Sequence, residues 1–209
     1  MNKSLDEIVE YRGVTDLVIA EVLTDNNKEG EGYTTGEVID LAGVGEISKT
    51  TSNSSESKYY NNMAAIVINS TGADEIKCST SVIPQDKLAL ITGQDYDEET
   101  GTLIEGERKV KYFALGYKTK KTNGDEIYVW RHKGTFSIPD STHATENDGT
   151  DSNGQEVTYT GISTTHKFTK TGKTAKAINV DVAKGLADVS TFFDTVTTID
   201  TLKKVTIEA

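Results

Sequence analysis

The stretch Lys109–Pro139, KVKYFALGYKTKKTNGDEIYVWRHKGTFSIP, decides the fold. Two runs rich in aromatic and β-branched residues flank a polar turn at Asn123-Gly124. An Asn-Gly pair tolerates the positive φ angles that match the twist of paired strands, so the stretch predicts a β-hairpin. Strand side chains alternate between faces. Tyr112 and Ala114 then point one way, and Phe113, Leu115 and Tyr117 the other. On the return strand Ile127 and Val129 oppose Tyr128 and Trp130. Both faces carry apolar groups and both need cover. A neighbouring chain is the expected cover for one of them, which makes Tyr128 and Trp130 candidates for self-assembly.

The rest of the chain is consistent with a β-dominated domain, all-β or α+β. Its 209 residues can bury one sizeable core, and one domain is the default. Only 35% of residues are apolar, too few for a chain without long polar segments. No apolar run reaches membrane-spanning length, so no membrane insertion is expected. Cys78 is the only cysteine and has no disulfide partner. The N-terminus lacks the basic and apolar regions of a signal peptide, which predicts intracellular synthesis. The net charge of −11 repels phosphate and speaks against a nucleic-acid binder.

Outward from the hairpin, Leu17–Leu23 reads as a strand, Thr35–Leu41 as a second, and Met63–Ile68 and Glu75–Val82 as two more. Residues 1–10 form an N-terminal arm, with Ser4 and Glu7 at capping-box spacing. Residues 45–62 read as a long polar loop. Ser48–Ser57 within it is nearly all Ser, Thr, Asn and charge, and cannot order itself alone. Ser48, Thr50, Ser54 and Ser57 are therefore candidates for ordering against a partner. Ile83–Gly93 changes period: Pro84 suits the first turn of a helix, Gly93 its end, and Leu88 and Ile91 lie three apart. Asp140–Gly154 is a second polar loop and Glu156–Phe168 a further strand. In the C-terminal arm, residues 183–209, Val189, Phe192, Phe193, Val196 and Ile199 recur at helical spacing, but intervening Thr residues disfavour helix. A helix and an irregular docking arm both fit. Lys203–Glu208 closes as a last strand.

Catalytic and metal patterns fail one by one. His132, His143 and His166 lack metal-ligand spacing, and Cys78 has no cysteine partner. Asp95–Gly101 begins like a calcium loop, but Thr100 and Gly106 stand where glycine and glutamate are required. Gly43-Val44-Gly45 is not followed by a third glycine at Ser48, and no helix is expected after it. No catalytic residues, cofactor or metal are assigned, and a structural or binding protein is expected rather than an enzyme.

A set of motifs, in order, carries a resemblance. These are Ile19-Ala20, Tyr33 with Gly36, Ser57-Lys58-Tyr59-Tyr60-Asn61-Asn62, and Gly93-Gln94-Asp95-Tyr96-Asp97 with Thr100-Gly101. Phe113-Ala114-Leu115-Gly116-Tyr117, Tyr128-Val129-Trp130, Lys133-Gly134-Thr135-Phe136 and Phe192-Phe193-Asp194-Thr195-Val196 follow. By these the chain resembles the phi13-type major tail proteins, the tail tube proteins of long, non-contractile-tailed bacteriophages of Gram-positive hosts. The resemblance implies a β-sandwich-like tail tube fold with one flanking helix. It also implies hexameric rings stacked into a tube through which viral DNA passes without specific binding. The other partners it implies are the tape-measure protein, the tail terminator and the distal tail or baseplate proteins. The implied location is the virion tail, after synthesis in the host cytoplasm. Phe192 and Phe193 join the self-assembly candidates, and Glu21, Glu37 and Glu156, near strand ends, are candidates to line the lumen. Two alternatives stand beside this: the tube protein of a phage-derived secretion particle, and a β-sandwich adhesin or decoration protein.

Overall fold

The computed structural model describes residues 8–28, 32–145 and 153–205. The N-terminal capping-box pair and the end of the last expected strand lie outside them. Among the described residues the fold is β-dominated with one α-helix, as expected. Its main sheet is antiparallel and ten-stranded. The path through it runs β2 (Tyr33–Thr35), β1 (Tyr11–Asp25), β8 (Phe113–Lys121), β9 (Glu126–Phe136), β11 (Gln155–Ile162), β5 (Met63–Thr80) and β4 (Val44–Tyr60). Three short strands sit beside this path: β3 (Ile39–Asp40) on β1, β10 (Asp140–Ser141) on β11, and β12 (Ala177–Asp181) on β9. Two small ribbons complete the set, β6 (Asp95–Asp97) with β7 (Thr102–Ile104), and β13 (Ala187–Asp188) with β14 (Lys203–Lys204). Because β3 pairs with β1 and leads within a few residues into β4, the sheet coils until its first and last long strands approach each other.

The central hairpin is β8 and β9. Its turn differs from the one the Asn-Gly pair suggests. Gly124 takes φ 94°, while Asn123 stays at negative φ. The Gly124 N–H donates to Lys121 O, giving a three-residue loop with the positive φ at its last residue. The two faces divide as the alternation requires. Phe113, Leu115, Tyr117 and Val129 point inside the coiled sheet, where they meet Leu17, Ile19, Ile76, Cys78, Val157 and Tyr159. The helix α1 (Gln85–Thr92) adds Ile91 to this core. It follows Pro84 and ends at Gly93 in the left-handed region, as the sequence signals.

The second face holds the main correction. Ala114 and Trp130 are covered by the chain's own later residues: Ile178, Val180, Phe192 and Val196, with Tyr128 and Phe193 packed alongside. Trp130 has no exposed surface, and its indole N–H donates to Phe192 O at 2.9 Å. Tyr128 and Phe193 stack at 5.6 Å between ring centroids. Trp130 and Phe192 are thus core residues and not a surface for another chain, and Tyr128 and Phe193 pack with them. Gly116 is what lets the indole lie flat, since a Cβ there would sit 2.9 Å from its six-membered ring.

Two further expectations change, and the choice left open in the C-terminal arm falls to the irregular form. Residues 45–62 are not a loop: residues 44–60 are strand β4, and Asn61 and Asn62 turn the chain into β5. The two strands expected at Met63–Ile68 and Glu75–Val82 are one, β5. The segment around Val189–Ile199 forms successive turns without a helix. Phe192 N–H bonds to Val189 O, and Asp194 N–H to Thr191 O, so each turn spans four residues and closes from the fourth back to the first. Smaller shifts accompany these. Thr35–Leu41 is broken into β2 and β3, and β11 stops at Ile162. Among the described residues no helix is long and apolar enough to cross a membrane.

Replacing Trp130 with Ala removes the centre of the second core and the anchor of Phe192. The expected loss is about 3–5 kcal/mol, a large part of the roughly 5–15 kcal/mol that holds a domain together. Urea denaturation followed by tryptophan-independent circular dichroism measures it, and Tyr128→Glu is expected to destabilise in the same direction.

Candidate assembly surface

Strands β4 and β5 pair from Val44↔Thr80 out to Tyr60↔Met63. β11 accompanies β5 only from Asp74 to Thr80. Beyond that point the ribbon continues alone, from Asn53↔Thr71 to the tip. Every residue from 52 to 72 is exposed. At about 3.3 Å per residue, the nine steps from Thr51 to Tyr60 carry the tip about 30 Å from the sheet.

Asn61 and Asn62 make the turn, with φ 51° and 63°. Two consecutive positive φ values between paired Tyr60 and Met63 define the two-residue turn that suits a twisted hairpin. Asparagine tolerates this conformation better than most residues with a Cβ. The arm is unusually apolar for something so exposed: Tyr59 is 68% exposed, Tyr60 60%, Met63 69%, and Ile66, Val67 and Ile68 each more than half. Ile66 and Ile68 fall on one face and Val67 on the other, because side chains alternate. An isolated two-stranded ribbon is at best marginal in water, and its outer edges present unpaired N–H and C=O groups. Asn53–Thr71 contains one carboxylate, Glu56, and one ammonium, Lys58, so the arm is neutral on a chain of charge −11.

The root of the arm is fixed by a buried ionic cluster. Asp74, paired opposite Thr51, accepts from Arg131 Nη1 at 3.1 Å, Lys176 Nζ at 3.3 Å and Thr51 Oγ1 at 2.9 Å. Lys176 also donates to Gly72 O. Burial alone would raise the Asp74 carboxyl, but the hydrogen bonds from Thr51 and Lys176 and the charges of Lys176 and Lys49 outweigh it and hold it below its ordinary range. A second cluster ties β1 to the loop after β11. Asp25 accepts from the Thr165 and His166 N–H groups and from Lys133 Nζ at 2.6 Å. There too the hydrogen bonds overcome the upward push of burial.

The polar candidates split along the strand. Ser48 and Thr50 pair with Lys77 and Glu75 on the sheet, whereas Ser54 and Ser57 lie in the arm, opposite Ser70 and Val67. The three carboxylates do not form one group. Glu21 and Glu37 border the same hollow of about 210 Å³. Glu21 is paired with Lys111 at 3.1 Å, and Glu37 is exposed. Glu156 lies on β11, three strands away from β1, 3.9 Å from Lys77. Asn61, Asn62, Met63 and Ile66–Ile68 were not singled out as assembly residues. Their signal is an Asn pair between two apolar strand runs. Among the described residues no group of three His, Cys, Asp or Glu side chains is placed to hold a metal ion. No protein-family model and no curated protein matches the chain.

The root cluster and the buried His132 give a pH signature. Burial, and then the charge of Arg131, push the His132 imidazole down to about 4 from its ordinary 6.5. The fold holds it neutral while the unfolded chain takes up a proton. Its contribution is therefore complete above pH 6.5, falls as pH drops towards 4 and is flat below. Over that span it amounts to roughly 3 kcal/mol. Asp74 and Asp25 act lower: their contributions are present above the ordinary carboxylate value of 3.8 and are lost as pH falls through their depressed values. Thermal unfolding of the wild type is expected to lose stability in two windows, and His132→Phe to lose the upper one. Asp74→Asn at neutral pH is expected to cost about 3 kcal/mol, since it leaves Arg131 and Lys176 without their counter-charge.

Proposed function

We propose that this chain is the structural subunit of a bacteriophage tail tube, polymerising as stacked hexameric rings around a lumen that conducts DNA. The observation that carries the self-assembly part is the arm. It is an apolar, neutral ribbon with two open edges, held rigidly at its root and unsupported beyond it. A surface of this kind is stabilised when another chain covers it. Strand edges that pair between copies through two different patches generate rings when the rotation closes, and filaments when it does not. The identity of the assembly rests on the ordered motifs of the sequence and their resemblance to the phi13-type major tail proteins. In this reading the tape-measure protein, tail terminator and distal tail proteins set the ends of the polymer, and the virion tail is its location.

The acidic balance fits a conduit. Carboxylates facing a lumen repel the phosphates of passing DNA and keep it from binding. Glu37 is the best placed of the three candidates for this, being exposed and without an ion pair among the described residues, whereas Glu21 and Glu156 each face a lysine.

Negative-stain microscopy of the concentrated protein, with and without tail initiator complex, tests the proposal. Rings or tubes with an axial hole are expected. A variant in which Asn53–Thr71 is replaced by an Asn-Gly turn is expected to keep the circular dichroism and melting behaviour of the sheet but to form no tubes. A wild-type chain that stays monomeric even with initiator present would overturn the proposal, and normal tubes from the armless variant would remove the arm as its basis.

A further inference from the structure

Where the coiled sheet fails to close, it leaves a slot. On β1, Tyr11–Thr15 pairs with β8, and no described strand pairs with its other edge. On β4, the edge away from β5 has no strand partner among the described residues. These two edges approach each other and border a cavity of about 690 Å³. That is within the size range of sites that enclose a ligand of several groups. Val14 and Ile47 form its sides, and Tyr117, Ile127, Val129 and Arg131 its floor.

Arg131 is not free to bind an occupant. Only 7% of it is exposed. Its Nη1 is bound to Asp74, its Nη2 lies 3.5 Å from the Tyr117 hydroxyl, and its Nε is enclosed. Recognition falls to the two open strand edges and to the apolar surfaces of Val14, Ile47, Ile127 and Val129, with Glu46 and Lys49 on the β4 side. These call for an extended, largely apolar peptide without net charge.

We propose that the slot receives the arm tip of a second copy of this chain, Tyr60–Met63. This inference rests on the reading of the arm as the assembly element and names the place where it seats. The tip has the required chemistry: exposed Tyr60 and Met63 for the apolar surfaces, and the outer backbone groups of the ribbon for the open strand edges. The chain's own arm does not fill the slot, since no residue from 52 to 72 lines it and all of them are exposed. The neutral tip also enters a chain of charge −11 without repulsion. Tip into slot is a contact between two different patches, so each copy that fills a slot still offers its own tip. The contact propagates from copy to copy.

Asn62→Cys combined with Gly45→Cys tests this with a short bismaleimide cross-linker on denaturing gels. A Cβ at Gly45 meets only Ser79 O at 3.6 Å, so the substitution is accommodated. Cys78 does not compete, since it is fully buried and burial pushes its thiol up to about 12. In assembled protein the doubly substituted chain is expected to give a ladder of covalent oligomers. An equal mixture of the two single variants is expected to stop at dimers, and adding Met63→Asp to cut the ladder at least tenfold. Tubes visible by microscopy that yield only monomer on the gel would overturn the tip-in-slot contact and leave the tube reading standing. Failure of the wild type to form tubes at all would overturn both.

Discussion

The packing of Phe192 and its neighbours over Trp130 is the interaction on which the rest of the molecule depends. A hairpin that is apolar on both faces cannot sit at the surface of a sheet. One of its faces is buried by coiling the sheet around it, so that β1, β11 and β5 contribute to a shared interior. The other requires a separate cover, and residues 178–196 supply it. With Trp130 fully buried and its N–H satisfied by Phe192 O, the C-terminal segment is part of the core rather than an appendage. With that face covered, the arm is the longest run of exposed apolar side chains among the described residues.

That ribbon is held by electrostatics rather than by packing. Its root lies at the pair Thr51↔Asp74, where the sheet's support from β11 ends. A buried carboxylate with three donors is costly to create and rigid once made. Here it fixes the direction in which the arm leaves the sheet. The distal residues need no such fixing, because cross-strand pairs such as Lys58↔Ile66 and Tyr59↔Ala64 align the two strands up to the Asn61-Asn62 turn.

Much of this was legible in the sequence, and the failures have physical causes. The central hairpin and its two faces follow from alternation, and the helix follows from Pro84, Gly93 and the spacing of Leu88 and Ile91. Ser48–Ser57 reads as a loop because its composition can bury almost nothing, which is true of the segment alone. Ladder hydrogen bonds to Ser70–Val67 and Lys77–Asp74 order it without burial. The C-terminal periodicity is real, but turns closed from residue i+3 to residue i bring residues three apart together much as a helix does. The same residues could therefore present one apolar face while remaining irregular. The cover of Trp130 is not legible in the hairpin alone, because it comes from Ile178 and Val180, distant in sequence, which pair alongside it through β12.

Arg131 lies where the root of the arm meets the slot. Through Nη1 it holds Asp74 at the root, and its side chain is among those lining the slot. A guanidinium is planar and rigid, so the bond from Nη1 to Asp74 and the approach of Nη2 to the Tyr117 hydroxyl fix one orientation of the group. Tyr117 belongs both to the main core and to the slot lining. The direction in which the arm leaves the sheet and the shape of the slot are therefore set by the same side chain, packed against the same core.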